Sequence, residues 1–252
     1  MKARHISQTG LAVLALTLLS AHVAPSVDDN NRYLKLTPLG DRVRIAYTVF
    51  FGEIPGAQER RGIDANRDGQ ISQAEANSFG QRLADQVAAN VELEIDGTRT
   101  PLSWQTIDVG MGTPEVAAGA FSVDLVAYPC LAKVRGRHRL VLRDHLRLTN
   151  PGETEVKVED SPGVTIDHAR IGAADDPSYD YKFVGALGPI SDDGLDLQYN
   201  AGPKAPVTAD GTCKAASSGG GSALPWLAGA GALVVVAGLL AFVLVRRRRA
   251  QT

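Results

Sequence analysis

The chain has 252 residues, 44% of them hydrophobic, with 26 Lys and Arg against 28 Asp and Glu, which is enough for one large or two small domains. Six of the basic residues, Lys2, Arg4 and Arg246 to Arg249, stand near the two ends, so residues 27–222 hold 20 basic against 28 acidic side chains, a formal net charge of −8. That balance excludes a basic nucleic-acid-binding surface and makes cations the better partners.

Residues 1–26 open with Lys2 and Arg4, continue through the apolar run GLAVLALTLLS and reach small residues at AHVAPS. This order of charged, apolar and small segments predicts a secretory signal peptide whose apolar run is too short to span a bilayer. An uncut N-terminal anchor is the alternative, and cleavage after Ala24 and after Ser26 both stay open.

Residues 27–200 read as a β-rich extracytoplasmic domain. DRVRIAYTVFFG places Val43, Ile45, Tyr47, Val49 and Phe51 on one face, and VELEIDG does the same with Val91, Leu93 and Ile95 before an Asp96-Gly97 turn signal. AFSVDLVAY alternates Phe121, Val123 and Leu125, and RHRLVLRDHLRL, ETEVKVED, GVTIDHARI and YDYKFVGAL are further strand candidates. Apolar residues at every second position, with turn signals between short runs, predict antiparallel sheets packed as a sandwich. One interval breaks the pattern: residues 53–90 are rich in Ala, Gln, Glu and Arg, with Ala74, Leu83, Val87 and Ala88 at helical spacing. A helix-loop-helix over about 54–90 is therefore expected between two strands, and the fold class is α+β, an antiparallel β-sandwich-like domain with an inserted EF-hand.

Arg137, Arg139, Arg143, His145 and Arg147 share a face of one strand candidate. A three-residue loop, Asn150-Pro151-Gly152, would form a hairpin that sets Arg147 opposite Glu155 and Arg143 opposite Glu159, a neutralised solvent face. Cys130 and Cys213 lie in the exported part, where a disulfide is permitted; a bridge, and a buried Cys130 with a free Cys213, are both open. No C-x-x-C or Cys/His spacing supports zinc or dithiol chemistry.

Residues 201–222, AGPKAPVTADGTCKAASSGGGS, lose apolar periodicity and read as a flexible linker. Residues 223–245, ALPWLAGAGALVVVAGLLAFVLV, carry no charge and as a helix reach across a bilayer. RRRR follows at once, so 246–252 is expected as a cytoplasmic tail, with the bulk of the chain periplasmic or extracellular.

The loop IDANRDGQISQAE carries the chemistry. From Asp64 as position 1, Asn66 is position 3, Asp68 is 5, Gly69 is 6, Gln70 is 7, Ser72 is 9 and Glu75 is 12, which meets the calcium-loop pattern D-x-[DN]-x-[DN]-G-x5-E at every constrained position. Calcium wants about seven hard oxygen ligands. Asp64, Asn66 and Asp68 offer side-chain oxygens, Gln70 its backbone carbonyl, Ser72 a water-mediated contact, and Glu75 two carboxylate oxygens at once. Gly69 permits the sharp turn that a residue with a Cβ would resist. No second such loop is found, so Ile71, which normally pairs with a counterpart loop, must pack on the β domain or on another copy.

On these residues the chain resembles EF-hand calcium-binding proteins. The longer run DRVRIAYTVFFGEIPGAQERRGIDANRDGQISQAEA, within Arg32 to Trp104, resembles the extracytoplasmic N-terminal domain of bacterial nickel/cobalt transporter-like membrane proteins. That resemblance implies an extracytoplasmic β domain with an inserted calcium loop. Transport needs several spans with ionisable ligands, and this chain shows one uncharged span, so transport by this chain alone is not supported and a role beside a transporter stays open as the alternative. SSGGGSALPW, the apolar run and RRRR together resemble a Gly-Gly type bacterial C-terminal sorting signal, which implies cutting near the glycines by an intramembrane protease of the rhomboid class; a permanent anchor is the alternative.

No H-E-x-x-H, G-x-S-x-G or P-loop occurs, and His138, His145 and His168 suggest no catalytic spacing. An enzyme is not expected. The sequence points to an exported, single-pass, calcium-binding protein with a binding or structural role and a membrane-protein partner as a further expectation; the alternative is an accessory or sensor subunit of a metal-ion transport system.

Overall fold

The computed structural model describes residues 28–185, 188–208 and Cys213. The expected signal peptide, most of the linker, the apolar stretch at 223–245 and the basic tail lie outside the described residues. Among the described residues no helix is long and apolar enough to cross a membrane.

The elements run β1 (Asn30–Pro38), β2 (Val43–Phe51), α1 (Glu53–Ile63), α2 (Gln73–Asn90), β3 (Val91–Ile95), β4 (Thr98–Arg99), β5 (Trp104–Gly110), β6 (Phe121–Ala127), β7 (Gly136–Asp144), β8 (Pro151–Val158), β9 (Val164–Ile171), β10 (Asp180–Val184), α3 (Pro189–Asp192) and β11 (Leu195–Ala201). The strands form two sheets, ordered β10-β8-β1-β2-β6-β5 and β4-β3-β7-β11-β9. Every pairing is antiparallel except that of β1 with β8. β2 buries each alternate residue from Val43 to Phe51 and β6 each from Phe121 to Ala127, while β7 and β11 do the same from the second sheet. The inner faces of both sheets share one apolar core, so the expected sandwich-like β architecture with inserted helices is what the described residues form.

The expected hairpin across Asn150-Pro151-Gly152 does not form. β7 pairs with β3 and β11 in one sheet, and β8 pairs with β1 and β10 in the other. A turn signal is present, since Asn150 has φ +46°, but the chain uses it to cross between sheets. The cause lies just upstream: Asp144 and Leu146 are buried, and Asp144 is bound there by Arg32 of the opposite sheet at 2.6 Å. The arginines find other partners accordingly. Arg139 pairs with Asp196 on β11 at 2.7 Å and Arg143 donates to the Asp192 carbonyl, while Glu159 accepts from Thr37.

α1 and α2 fall where the helical interval was expected. The buried face of α2 is Ala76, Gly80, Leu83, Ala84 and Val87, with Ala74 exposed and Ala88 half-buried; the register is set by packing on β5 rather than by every alanine. Cys130 and Cys213 are joined in a disulfide, Cα to Cα 5.4 Å.

Candidate metal site

The loop between the helices spans Asp64 to Ser72. α1 stops because Asp64 leaves the helical region, its amide still bonded to the Arg60 carbonyl at 3.1 Å. Arg67 and Gly69 then turn the chain with φ of +61° and +84°. A Cβ at Gly69 would touch nothing within 4 Å, so glycine is favoured there by its backbone conformation and not by space. α2 restarts through a capping box: Ser72 Oγ accepts from the Glu75 amide and the Glu75 carboxylate accepts from the Ser72 amide. Such a cap satisfies helix-end donors that otherwise have no partner.

The acidic side chains turn inward onto loop amides. Asp64 accepts from the amides of Asp68 at 3.2 Å and Gly69 at 3.0 Å. Asn66 Oδ1 accepts from the Asp68 amide at 2.9 Å, and Asp68 Oδ1 from the Gln70 amide at 2.8 Å. Glu75 spans the loop: Oε2 takes the Ser72 amide and hydroxyl at 2.9 and 2.7 Å, while Oε1 takes the amides of Ala65 at 2.9 Å and Asn66 at 3.4 Å. The residue at position 12 thus already touches the start of the loop. The Ser72 hydroxyl, then the Ser72, Ala65 and Asn66 amides, hold the Glu75 carboxyl below its ordinary pKa, so it is ionised at neutral pH.

Gln70 is oriented by a short antiparallel ribbon. It bridges Glu115, flanked by bonds from the Ile71 amide to the Pro114 carbonyl at 2.7 Å and from the Val116 amide to the Gly69 carbonyl at 3.1 Å. In such a pair the bridged residue's own N–H and C=O point away from the partner strand. The Gln70 amide accordingly bonds Asp68 inside the loop, and its carbonyl shares that side. Ile71, 5% exposed, packs on the β domain.

The donor set is therefore hard oxygen throughout, from Asp64, Asn66, Asp68, Gln70 and Glu75, on a backbone bent by Gly69, which fits calcium in ligand type, spacing and loop shape. Among the described residues no three His, Cys, Asp or Glu side chains draw together as a metal-holding group. Like charges repel, and here the loop carboxylates each take amide donors; holding an ion requires them to turn from amides to the cation.

The three histidines among the described residues occupy separate settings. His138 is buried on β7 with Asp96 at 2.8 Å and the Arg135 carbonyl at 3.1 Å. His145 is exposed, 3.9 Å from Glu92, and His168 is exposed on edge strand β9. A residue that the spacing does not reveal is Arg60. It is wholly buried, and its guanidinium donates to the carbonyls of Met111, Thr113, Glu115, Gly119 and Ala120. No carboxylate partner marks it in the sequence. A scan of the chain against protein-family models and a search of curated proteins each find no match.

Proposed function

We propose that this is an exported calcium-binding protein, held at the cell membrane by its C-terminal apolar stretch, in which the ion orders a helix-loop-helix set into a β sandwich. The reading rests on one observation above the rest: Glu75, at the start of α2, reaches back to the amides of Ala65 and Asn66, so the last of the twelve positions already touches the first part of the loop. Asp64, Asn66, Asp68, the Gln70 carbonyl and Glu75 would hold the ion, with Ser72 engaged as the helix cap. Calcium supplies the central charge that lets three carboxylates face one point; the protein supplies the turn and the fixed helix ends. A single loop carrying three ligand carboxylates fits the weak range of extracellular modules, a dissociation constant of about 0.1–1 mM. The likeness of residues 32–104 to the outer domain of nickel/cobalt transporter-like proteins supports a second reading, an accessory or sensor subunit beside a metal-ion transporter.

Calcium titration of the intact protein by calorimetry tests the first reading. One site is expected, and Glu75→Gln should weaken it by at least about tenfold through loss of a charge and a bidentate ligand. Glutamine still completes the capping box, so α2 persists and the loss reports on the ion. No calcium-dependent heat, or equal affinity in Glu75→Gln, rules the assignment out.

A further inference from the structure

The lone calcium loop has an unusual neighbour. The connection from β5 to β6, residues 111–120, is without strand or helix, yet it is bonded to the helix-loop-helix at every level. Pro114 and Val116 pair with Ile71 and Gly69 through two backbone bonds, at 2.7 and 3.1 Å. Along α1, positions 53, 56 and 60 share one face, and each meets the same connection. Glu53 Oε2 accepts from the Ala120 amide at 3.2 Å. A Cβ on Gly56 would stand 2.7 Å from the Gly119 carbonyl oxygen, so that position is closed to any side chain. Arg60 gathers five carbonyls from Met111 to Ala120 and lies 5.4 Å over the Phe121 ring.

The chemistry of Arg60 is notable because a buried guanidinium ordinarily takes a carboxylate. Here every hydrogen bond the guanidinium donates among the described residues goes to a backbone carbonyl, with the carboxylates of Glu115 and Glu53 acting only through their charge, and the geometry of a planar five-donor fork is used to fix one irregular segment. Burial lowers its pKa while the charges of Glu115 and Glu53 oppose that effect; guanidinium remains charged at any physiological pH. A segment with no ladder of its own is therefore held in one shape by α1, and in that shape it offers Pro114–Val116 to the loop. The ribbon then sets the direction of the Gln70 carbonyl, a ligand that no side-chain choice can orient.

We infer that residues 111–120 form the second half of the calcium site, taking the place of a partner loop, and that they set its calcium affinity through the Gly69–Ile71 ribbon and the Arg60 clamp. This rests on the calcium reading above. Coupling of this kind is reciprocal: if the segment in its clamped shape favours calcium by some factor, calcium favours the clamped shape by the same factor. Ion binding must then slow the opening of the ribbon, and loosening the ribbon must weaken the ion.

Two measurements on the intact protein test it. Amide hydrogen exchange with and without calcium should show the Ile71 and Val116 amides slowed by calcium by as large a factor as the core Leu142 amide of β7, which reports the general stabilisation by the ion. Val116→Pro removes the one donor to Gly69 while leaving all five ligands, and calorimetry should show calcium bound about fivefold more weakly, the worth of one net hydrogen bond. Unchanged protection at Ile71 and Val116 in a wild type that binds calcium overturns the inference. So does undiminished affinity in a folded Val116→Pro. If that variant does not fold, the exchange result on the wild type decides. Absence of calcium heat in the wild type is a different result, since it removes the calcium reading itself and this inference with it.

Discussion

Asp144 shows how much one buried side chain organises. It is completely inaccessible to solvent and accepts from Arg32 at 2.6 Å, the Tyr47 hydroxyl at 2.9 Å and the Leu146 amide at 2.9 Å. Arg32 and Tyr47 come from β1 and β2 of one sheet and Asp144 from β7 of the other, so the cluster bolts the sheets together. Taking two charges out of water is costly, and their mutual attraction offsets it only with the help of the added hydrogen bonds. Asp144→Asn would leave the Arg32 guanidinium buried and uncompensated, and should lower unfolding stability in urea by about 3–5 kcal/mol. Tyr47 allows a pH test. Burial first, and the Asp144 charge second, hold its phenol well above the ordinary value of 10.0. A raised folded-state pKa means that the stability it supports is complete below the unfolded value and falls as pH rises through the folded one. Tyr47→Phe should therefore lose less stability than wild type in thermal melts taken between roughly pH 9 and 11. Equal alkaline loss in the two proteins would show that Tyr47 is not one of the groups responsible.

At the scale of elements, α2 is seated on β5 through a glycine. A Cβ at Gly80 would lie 2.6 Å from Val109 Cγ2 and 3.1 Å from Ile107 Cγ2. Alanine is favoured over glycine in a helix by about 1 kcal/mol, but overpacking costs about 1–3 kcal/mol, and an overlap this close with a β-branched side chain decides for the second. Gly80→Ala should destabilise by about 1 kcal/mol. In the Val109→Ala background the same change should cost less, because the closest obstruction is gone, the helical gain remains and only the 3.1 Å approach to Ile107 Cγ2 is left. The sequence made some of these elements visible and hid others for physical reasons. β2, β3 and β6 alternate strictly, so their inner faces could be read directly. β1 could not, because two of its inward residues are Asn30 and Arg32, polar groups buried only through partners more than a hundred residues away. β11, which is not among the expected strands, alternates Leu195, Leu197, Tyr199 and Ala201 inward, a signal as legible as that of β2. The turn at Asn150 was visible, but which sheet the chain enters after it depends on Asp144 finding Arg32, which no local pattern encodes. The proposed calcium loop was legible because its candidate ligands stand within twelve positions of one another. Arg60 and residues 111–120 were not, since their union runs through backbone carbonyls 51–60 residues distant, and a carbonyl looks the same in every residue.

Over the whole molecule, the chain leaving the sandwich is fastened before it departs. After β11, residues 202–208 pass back over the β1–β2 turn, where the Gly40 amide donates to the Pro206 carbonyl at 2.7 Å and the Thr208 amide to the buried Asp41 carboxylate at 3.1 Å. Asp41 also holds the Leu131 amide on its carbonyl at 2.8 Å, one residue from Cys130, whose disulfide to Cys213 closes 83 residues of chain. In the anchored arrangement proposed above, this strap is where the tether meets the domain. Restricting an unfolded loop of that length is worth about 4.5 kcal/mol in the chain-entropy account, with measured values commonly about 2–4 kcal/mol. Replacing both cysteines with serine should lower unfolding stability within that range. Because the bridge acts mainly on the unfolded chain, the denaturant slope should rise as that chain expands. Calcium provides the check on independence. At ten times its dissociation constant it should add about 1.4 kcal/mol by mass action. The strap and the proposed calcium loop share no hydrogen bond among the described residues, so the same increment is expected with the disulfide present or absent. An increment that disappears in the serine double variant would mean that the disulfide shapes the calcium site itself, and that the two ends of the sandwich are coupled through its core.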